Sequence, residues 1–436
     1  MSKLSNKLSD KFQMGEKLRK NFMALIILAV SGSIIYGLPY FRYDYYDAYV
    51  TTYHLTNTQM GILGSIFGVF GMISYLFGGY VADKFSLKKL LTVSLIGTGI
   101  GGLIHLLPLS FWALACLYAF WGFSSLFAFW PACVKAVRMM SDSSDQGKAF
   151  GFFEGGRGIA AAITAPLAVL IFGIGVKQLN DALGMKLIII FYSVATILCG
   201  ILVFFKMKDE SVESSEKIQF KDFGKVLKMP AVWIIGMVTL CNYVFCMSVY
   251  YFIPYATSLL GATVMFGATL SAFKRYLTPV SNIGGGFLGD KFGTSNLLLS
   301  SFVVMAVCTT LMIVLPLKKS MLAAFVVLYI VNYFFFNVNY SLTWAMMDEG
   351  NIPVQFSGTA AGVIATVGYL PEVFCSILAG KLMDKYPGVQ GYRYYFIFLI
   401  VMLIIGAIFV IAWRNYLKKN KKQIDDKNVE DKNVSA

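Results

Sequence analysis

Gly79-Tyr-Val-Ala-Asp83-Lys84 and Gly286-Phe-Leu-Gly-Asp290-Lys291 are two copies of one pattern, Gly-x-x-x-Asp-Lys, one in each half of the chain and each between two long apolar stretches. A glycine near the end of a helix permits a tight turn. The Asp four residues later sits where its carboxylate can face the positive N-terminal end of another helix. The same device at equivalent places in two runs of apolar segments implies an internally duplicated membrane chain, and such duplication points to transport rather than catalysis.

The composition agrees: of 436 residues, 57% are hydrophobic and 14% charged, with a mean hydropathy of +0.67. A soluble helical bundle would need polar faces that these segments lack. A membrane span takes about 20 mostly apolar residues. Twelve are expected, over residues 21–41, 58–81, 88–108, 110–138, 147–174, 184–206, 231–256, 264–289, 294–315, 321–347, 357–381 and 390–413. The fold class is therefore an all-α membrane protein of twelve transmembrane helices in two six-helix bundles.

The net charge of +14 would suggest nucleic acid in a soluble protein, but here its distribution matters more. Lys3, Lys7, Lys11, Lys17, Arg19 and Lys20 precede the first span. Lys206, Lys208, Lys217, Lys221, Lys225 and Lys228 fill the central loop, and Arg414, Lys418, Lys419, Lys421 and Lys422 follow the last span. The positive-inside rule places both termini and the central loop in the cytoplasm, which six plus six spans satisfies. The first span follows a polar, basic segment and is expected to serve as its own insertion signal. The expected organisation is an N-terminal bundle over 1–206, a cytoplasmic linker over 207–229, a C-terminal bundle over 230–415 and a disordered cytoplasmic tail over 416–436. Seven cysteines lie in apolar stretches without metal spacing and read as packing residues.

The paired pattern resembles the loop signature of the major facilitator superfamily, which occurs between its second and third helices and, more weakly, between its eighth and ninth. Ser86 stands where that family usually has glycine, and the second copy has Gly293 but not the basic pair after it. The resemblance implies gating roles for Gly79, Asp83, Lys84, Gly286, Asp290 and Lys291. Asp83 would lean toward the start of the eleventh helix near Ser357 and Gly358, and Asp290 toward the start of the fifth near Gln146 and Gly147. Gly147-Lys-Ala-Phe-Gly151 and Gly358-Thr-Ala-Ala-Gly362 repeat four-spaced glycines at equivalent places, and Gly155 extends the first stripe. Such a stripe lets a neighbouring backbone approach closely, for packing or for rocking of one bundle on the other. Leu38-Pro39-Tyr40-Phe41-Arg42-Tyr43-Asp44, Phe129-Trp130-Pro131, residues 149–158 and Gly368-Tyr369-Leu370-Pro371-Glu372 resemble a YihN-like branch of bacterial inner-membrane permeases.

Ionisable residues deep in a membrane cost about 2.5 to 3.5 kcal/mol each on insertion scales, so they mark function. Glu154 and Arg157 lie on one face of the fifth span, Lys274 and Arg275 near mid-depth in the eighth, and Glu372 beside Pro371 in the eleventh, where the proline should open the helix. Two arginines, one per half, resemble the anion clamps of organic-anion and phosphate-ester members of the superfamily. The guanidinium fork suits a carboxylate or phosphate. The alternative pairs Arg157 with Glu154 and Arg275 with Glu372, leaving no net positive site. Candidate substrate contacts are Arg157, Arg275, Lys274, Tyr36, Tyr40, Trp130, Asn242, Asn337 and Trp344; Glu372 and Glu154 are the candidate proton-coupling carboxylates. Tyr43, Tyr45 and Tyr46 read as an outer aromatic belt.

The expectation is a secondary active transporter of the bacterial cytoplasmic membrane that moves a small polar, anionic metabolite by alternating access, coupled to protons or a counter-anion. A proton-driven exporter of amphipathic compounds or lipids is the alternative, favoured by the 16% aromatic content. No catalytic residue, metal site or cofactor is expected: the G-x-x-x-x-G-K-[ST] motif does not occur, and His54 and His105 are too few and too isolated for a metal site. Expected partners are the small-molecule substrate, the lipid bilayer and protons or a counter-anion, with no nucleic acid and a monomeric state.

Overall fold

The computed structural model describes residues 15–142, 146–208, 224–350, 352–353 and 357–434, so most of the expected linker lies outside the described residues. In chain order the helices are α1 (Glu16–Ile34), α2 (Gly37–Asp44), α3 (Tyr46–Tyr53), α4 (Asn57–Lys84), α5 (Leu87–Ile104) and α6 (Phe111–Trp121). A π-helical segment, Gly122–Phe129, leads into α7 (Trp130–Met139), followed by α8 (Gln146–Gln178) and α9 (Asp181–Lys206). The rest are α10 (Pro230–Leu259), α11 (Val264–Phe292), α12 (Thr294–Val314), α13 (Leu322–Glu349), α14 (Ser357–Gly368), α15 (Pro371–Lys385) and α16 (Val389–Val434). Among the described residues nine helices are long and apolar enough to cross a membrane, and ten when the bent pair α1–α2 counts as one span. Helices α4 and α11, of 28 and 29 residues, are long enough to cross as well, which is consistent with the expected twelve. At 1.5 Å per residue each is about 42 Å long, more than a hydrocarbon core of about 30 Å.

Three spans are irregular, each for a local reason. The first bends by 41° between α1 and α2, where Gly37-Leu-Pro39 interrupts the ladder. The fourth passes through the π-helical turns of Gly122–Phe129, a departure that concentrates at functional sites. The eleventh breaks at Tyr369 and Leu370, and Pro371 opens α15 at the position where a missing N–H costs nothing.

Two compact units emerge. The first comprises Met1–Glu216, Ala262–Tyr276 and Glu372–Asp384; the second comprises Lys217–Gly261, Leu277–Pro371 and Lys385–Ala436. The first half of α11 and nearly all of α15 thus pack with the N-terminal unit, although the duplication assigns them to the other half. In the first unit, Leu25, Leu28, Leu91, Leu95, Phe129 and Phe153 build a buried core across α1, α5, the π segment and α8. In the second, Phe252 is ringed by Phe245, Tyr329 and Phe396 at 5.0 to 6.0 Å in tilted and edge-on pairs, the geometry aromatic quadrupoles favour.

A seam of small residues joins α4 to α15. A Cβ on Gly61 would overlap the Ser376 carbonyl, one on Gly68 would stand 2.8 Å from the Glu372 carbonyl oxygen, and one on Gly380 would overlap the Asn57 carbonyl. Backbone therefore touches backbone along this line, as small-residue stripes allow. The α8 stripe singled out in the sequence behaves differently: among the described residues, a Cβ on Gly151 or Gly155 would meet nothing within 4 Å.

One expectation is corrected. Tyr43, Tyr45 and Tyr46 are 3–4% exposed rather than a belt, because the bend carries α2 and α3 inward. Tyr43 shares a 2.9 Å hydrogen bond with Ser376, Tyr46 donates to Asn57 Oδ1 at 2.7 Å, and Tyr45 packs on Phe172. Helix α16 runs to Val434, through the segment read from the sequence as a tail. Extending a helix already nucleated by a span is far easier than starting one.

Candidate functional site

The irregular turns of the first, fourth and eleventh spans place their side chains together in the N-terminal unit. Tyr36 sits at the α1–α2 bend and its hydroxyl donates to the Ser125 carbonyl at 3.3 Å. That carbonyl belongs to the π segment and also accepts the N–H of Trp130, five residues on. The π register therefore delivers Trp130 to Tyr36, with ring centroids 6.3 Å apart. Tyr40, one turn along α2, lies 6.2 Å from Tyr36 and 5.2 Å from Phe67 of α4. Phe153 of α8 closes the row, 6.3 Å from Trp130.

Arg157 lies against this aromatic wall, its Cζ 4.7 Å from the Trp130 ring centroid and 5.7 Å from that of Phe153. Its Nε donates to the Gly32 carbonyl at 3.2 Å, and its Nη1 meets both Glu154 oxygens at 2.8 and 2.9 Å. Among the described residues Nη2 makes no hydrogen bond. The Arg157 and Glu154 side chains are 25% and 57% exposed, and an ion pair so open contributes about 0–1 kcal/mol. Stacking on Trp130 contributes about 0.5–2 kcal/mol more. The arginine is thus held by the ring and the Gly32 carbonyl, while Glu154 is an exchangeable partner.

Glu372 is the second residue of α15 and 8% exposed. The Tyr40 hydroxyl donates to its Oε1 at 3.3 Å, and the glycine face of α4 at Gly68 and Gly71 gives it room. One cation, two carboxylates and a row of rings thus share one wall.

Lys274 and Arg275 do not join this group. Arg275 Nη2 is 2.9 Å from Asp44 Oδ2 and Lys274 Nζ is 3.5 Å from Asp44 Oδ1, at the end of α2. The pairing of Arg275 with Glu372 considered from the sequence is not the one present; Asp44 takes that role, because two cations placed mainly out of water need a carboxylate within reach. The Lys-Arg doublet signals that need without naming the partner.

In the C-terminal unit, Asn242 and Asn337 are buried; Asn242 donates to the Phe336 carbonyl of α13 at 3.2 Å, and Asn337 to the Tyr333 carbonyl of its own helix at 2.7 Å. Tyr243 and Tyr340 gather on Tyr369 at the α14–α15 break, with a 4.5 Å ring contact and a 3.1 Å hydroxyl pair, a cluster the sequence does not announce. The side chains of Gly79, Asp83, Lys84, Gly286, Asp290 and Trp344 lie outside the described ones, although their backbones are helical. Lys291 is exposed, its ammonium 5.4 Å from the Phe292 ring.

The Major Facilitator Superfamily model matches residues 21–374. The chain is 26% identical over 416 residues to the inner membrane protein YqcE of Escherichia coli, covering 92% of this chain and 95% of that one. It is also 26% identical over 419 residues to the inner membrane protein YihN of the same organism, covering 93% and 98%. Among solved structures, a bacterial homolog of the human lysosomal transporter Spinster, in an inward-facing and occupied conformation, superposes with a TM-score of 0.73 at 14% identity, over 93% of this chain and 98% of that one. The nucleoside transporter NupG gives a TM-score of 0.72 at 13% identity, over 90% and 99%. With its apolar helices, duplicated loop pattern and a family match across most of its length, this chain is a multi-pass membrane transporter and belongs to the major facilitator superfamily.

Proposed function

We propose that this transporter carries a small polar anion by alternating access, coupled to proton movement, with Arg157 as the anion-binding residue. The observation that carries the reading is the exchangeable pair: an arginine fixed on Trp130 and the Gly32 carbonyl, whose Nη2 makes no hydrogen bond among the described residues and whose carboxylate partner there, Glu154, is 57% exposed. A carboxylate or phosphate of the substrate replaces Glu154 with a two-point hydrogen bond, and protonation of Glu154 favours the exchange. Glu372, buried beside Tyr40, is the second proton-carrying candidate. Tyr36, Tyr40 and Trp130 supply the apolar wall of the site. Lys274 and Arg275 act through Asp44 rather than on substrate. Both termini face the cytoplasm of a bacterial cell, the substrate crosses the cytoplasmic membrane, and the working unit is a monomer.

The aromatic row favours one second reading, an exporter of amphipathic compounds. A thermal-shift screen of the purified protein against monocarboxylates, dicarboxylates, sugar phosphates, neutral sugars, amino acids and hydrophobic dyes separates them, since a ligand of the folded state raises the melting temperature. The proposal expects an anion to stabilise the parent and not Arg157→Gln. Stabilisation by a neutral or dye ligand that survives Arg157→Gln would contradict it.

A further inference from the structure

The Gly-x-x-x-Asp-Lys pattern occurs a third time. Gly380-Lys-Leu-Met-Asp384-Lys385 closes α15. Asp384 reaches the first turn of α4: Oδ1 accepts the Asn57 N–H at 3.1 Å and Asn57 Nδ2 at 2.9 Å, and Oδ2 accepts the Thr58 N–H at 2.7 Å. A helix leaves its first four N–H groups without intrahelical partners. In α4 two of them are served locally. Gln59 N–H donates to Thr56 Oγ1 at 3.1 Å while Thr56 N–H donates to Gln59 Oε1 at 2.9 Å, a reciprocal capping box, and Met60 N–H reaches the Thr56 carbonyl at 3.0 Å. The two donors left over, those of Asn57 and Thr58, are the two that Asp384 takes. Tyr46 holds the Asn57 side chain from its other end.

Gly380 stands one turn before Asp384 against the Asn57 carbonyl, where a Cβ would overlap backbone. The α4–α15 contact runs in opposite directions along the two helices, Asn57 to Gly380, Gly61 to Ser376 and Gly68 to Glu372. Asp384 is thus the terminal fastening of a seam whose other end holds Glu372. Helix α4 carries Asp83 of the first pattern copy near its C-terminal end and receives Asp384 at its N-terminal end, about 40 Å away at 1.5 Å per residue.

We propose that Gly380 and Asp384 form a third latch, a gating pair that shuts the face of the transporter opposite Asp83 and must release before that face opens. The proposal rests on the alternating-access reading but not on the identity or charge of the cargo. Its chemistry is the one inferred for the first two copies: a carboxylate on the positive end of a helix, strengthened by charged hydrogen bonds to backbone N–H groups. The duplication accounts for two copies; the third, on the opposite face, makes fastening possible at both ends of α4.

The test needs no substrate. Ser376→Cys places a reporter in the seam, and its reaction with a membrane-impermeant maleimide applied to right-side-out vesicles is timed in the full-length protein, alone and combined with Asp384→Asn, Gly380→Ala or Lys385→Gln. Native Cys133 and Cys199, both buried, report loosening of the whole unit. Loss of a cap contributing about 1 kcal/mol predicts labelling about fivefold faster with Asp384→Asn. Gly380→Ala should act at least as strongly, and Lys385→Gln should leave the rate unchanged. Acceleration confined to the reporter supports the latch. An unchanged rate in both Asp384→Asn and Gly380→Ala, or acceleration that extends equally to Cys133 and Cys199, overturns it. Failure here leaves the anion reading intact, because thermal-shift binding through Arg157 is measured separately.

Discussion

Two glycine stripes of the N-terminal unit are alike in sequence and opposite in occupancy. On α4, Gly61 and Gly68 lie in backbone contact with α15; on α8, Gly151 and Gly155 face open space among the described residues. Stripes of small residues create the option of close approach and do not say whether it is taken. Under the alternating access proposed above, a filled stripe corresponds to a shut gate and an empty stripe to a contact made in the other state.

The contrast is broken most severely at Gly61. Gly61→Leu should drive a side chain into the Ser376 backbone, abolishing transport and lowering the melting temperature, whereas Gly155→Leu should leave the melting temperature within the shift expected from about 0.5 kcal/mol. Gly155→Leu should nevertheless stop turnover, since the stripe can no longer close. Thermal unfolding of both variants beside a transport assay checks this; equal destabilisation would remove the contrast.

Next in size are the effects at the binding wall. Arg157→Gln should abolish uptake of the anion while expression is retained, and Arg157→Lys should rescue poorly, because a point charge cannot reproduce the planar fork or its stacking on Trp130. Concentrative uptake and equilibrium exchange measured in proteoliposomes separate the carboxylates. Glu372→Gln should lose accumulation driven by an imposed pH gradient yet keep exchange. If it still concentrates substrate as the parent does, counter-anion exchange becomes the better account. The smallest effect belongs to Asp83→Asn, which should weaken the closed cytoplasmic side by about 0.3 to 1 kcal/mol and raise labelling of a cysteine probe there.

Much of this was legible before the structure. Apolar runs and cation placement predicted twelve spans, since a bilayer imposes length and charge rules that act on sequence directly. Pro371 marked the broken eleventh span, and Glu154 with Arg157 declared their shared face by spacing alone. What stayed hidden depends on contacts distant in sequence. Asp44 meets Arg275 across 231 positions, and nothing around either residue names the other. The π segment has no sequence signature of its own, yet it sets where Trp130 points. The third Gly-x-x-x-Asp-Lys is legible from residue types, but it lies at the end of the eleventh span, outside the two duplicated loops, and its partner at the start of α4 is distant in sequence.

The most direct test of the account places one cysteine in each stripe, Ser376→Cys on the filled line and Gly155→Cys on the empty one, and times maleimide labelling of both with and without the anion found by thermal shift. The account predicts slow labelling at Ser376→Cys and fast labelling at Gly155→Cys in the resting protein, with the two rates moving in opposite directions when ligand is added under turnover. Rates that stay fixed, or rise and fall together, would contradict alternation between the two stripes.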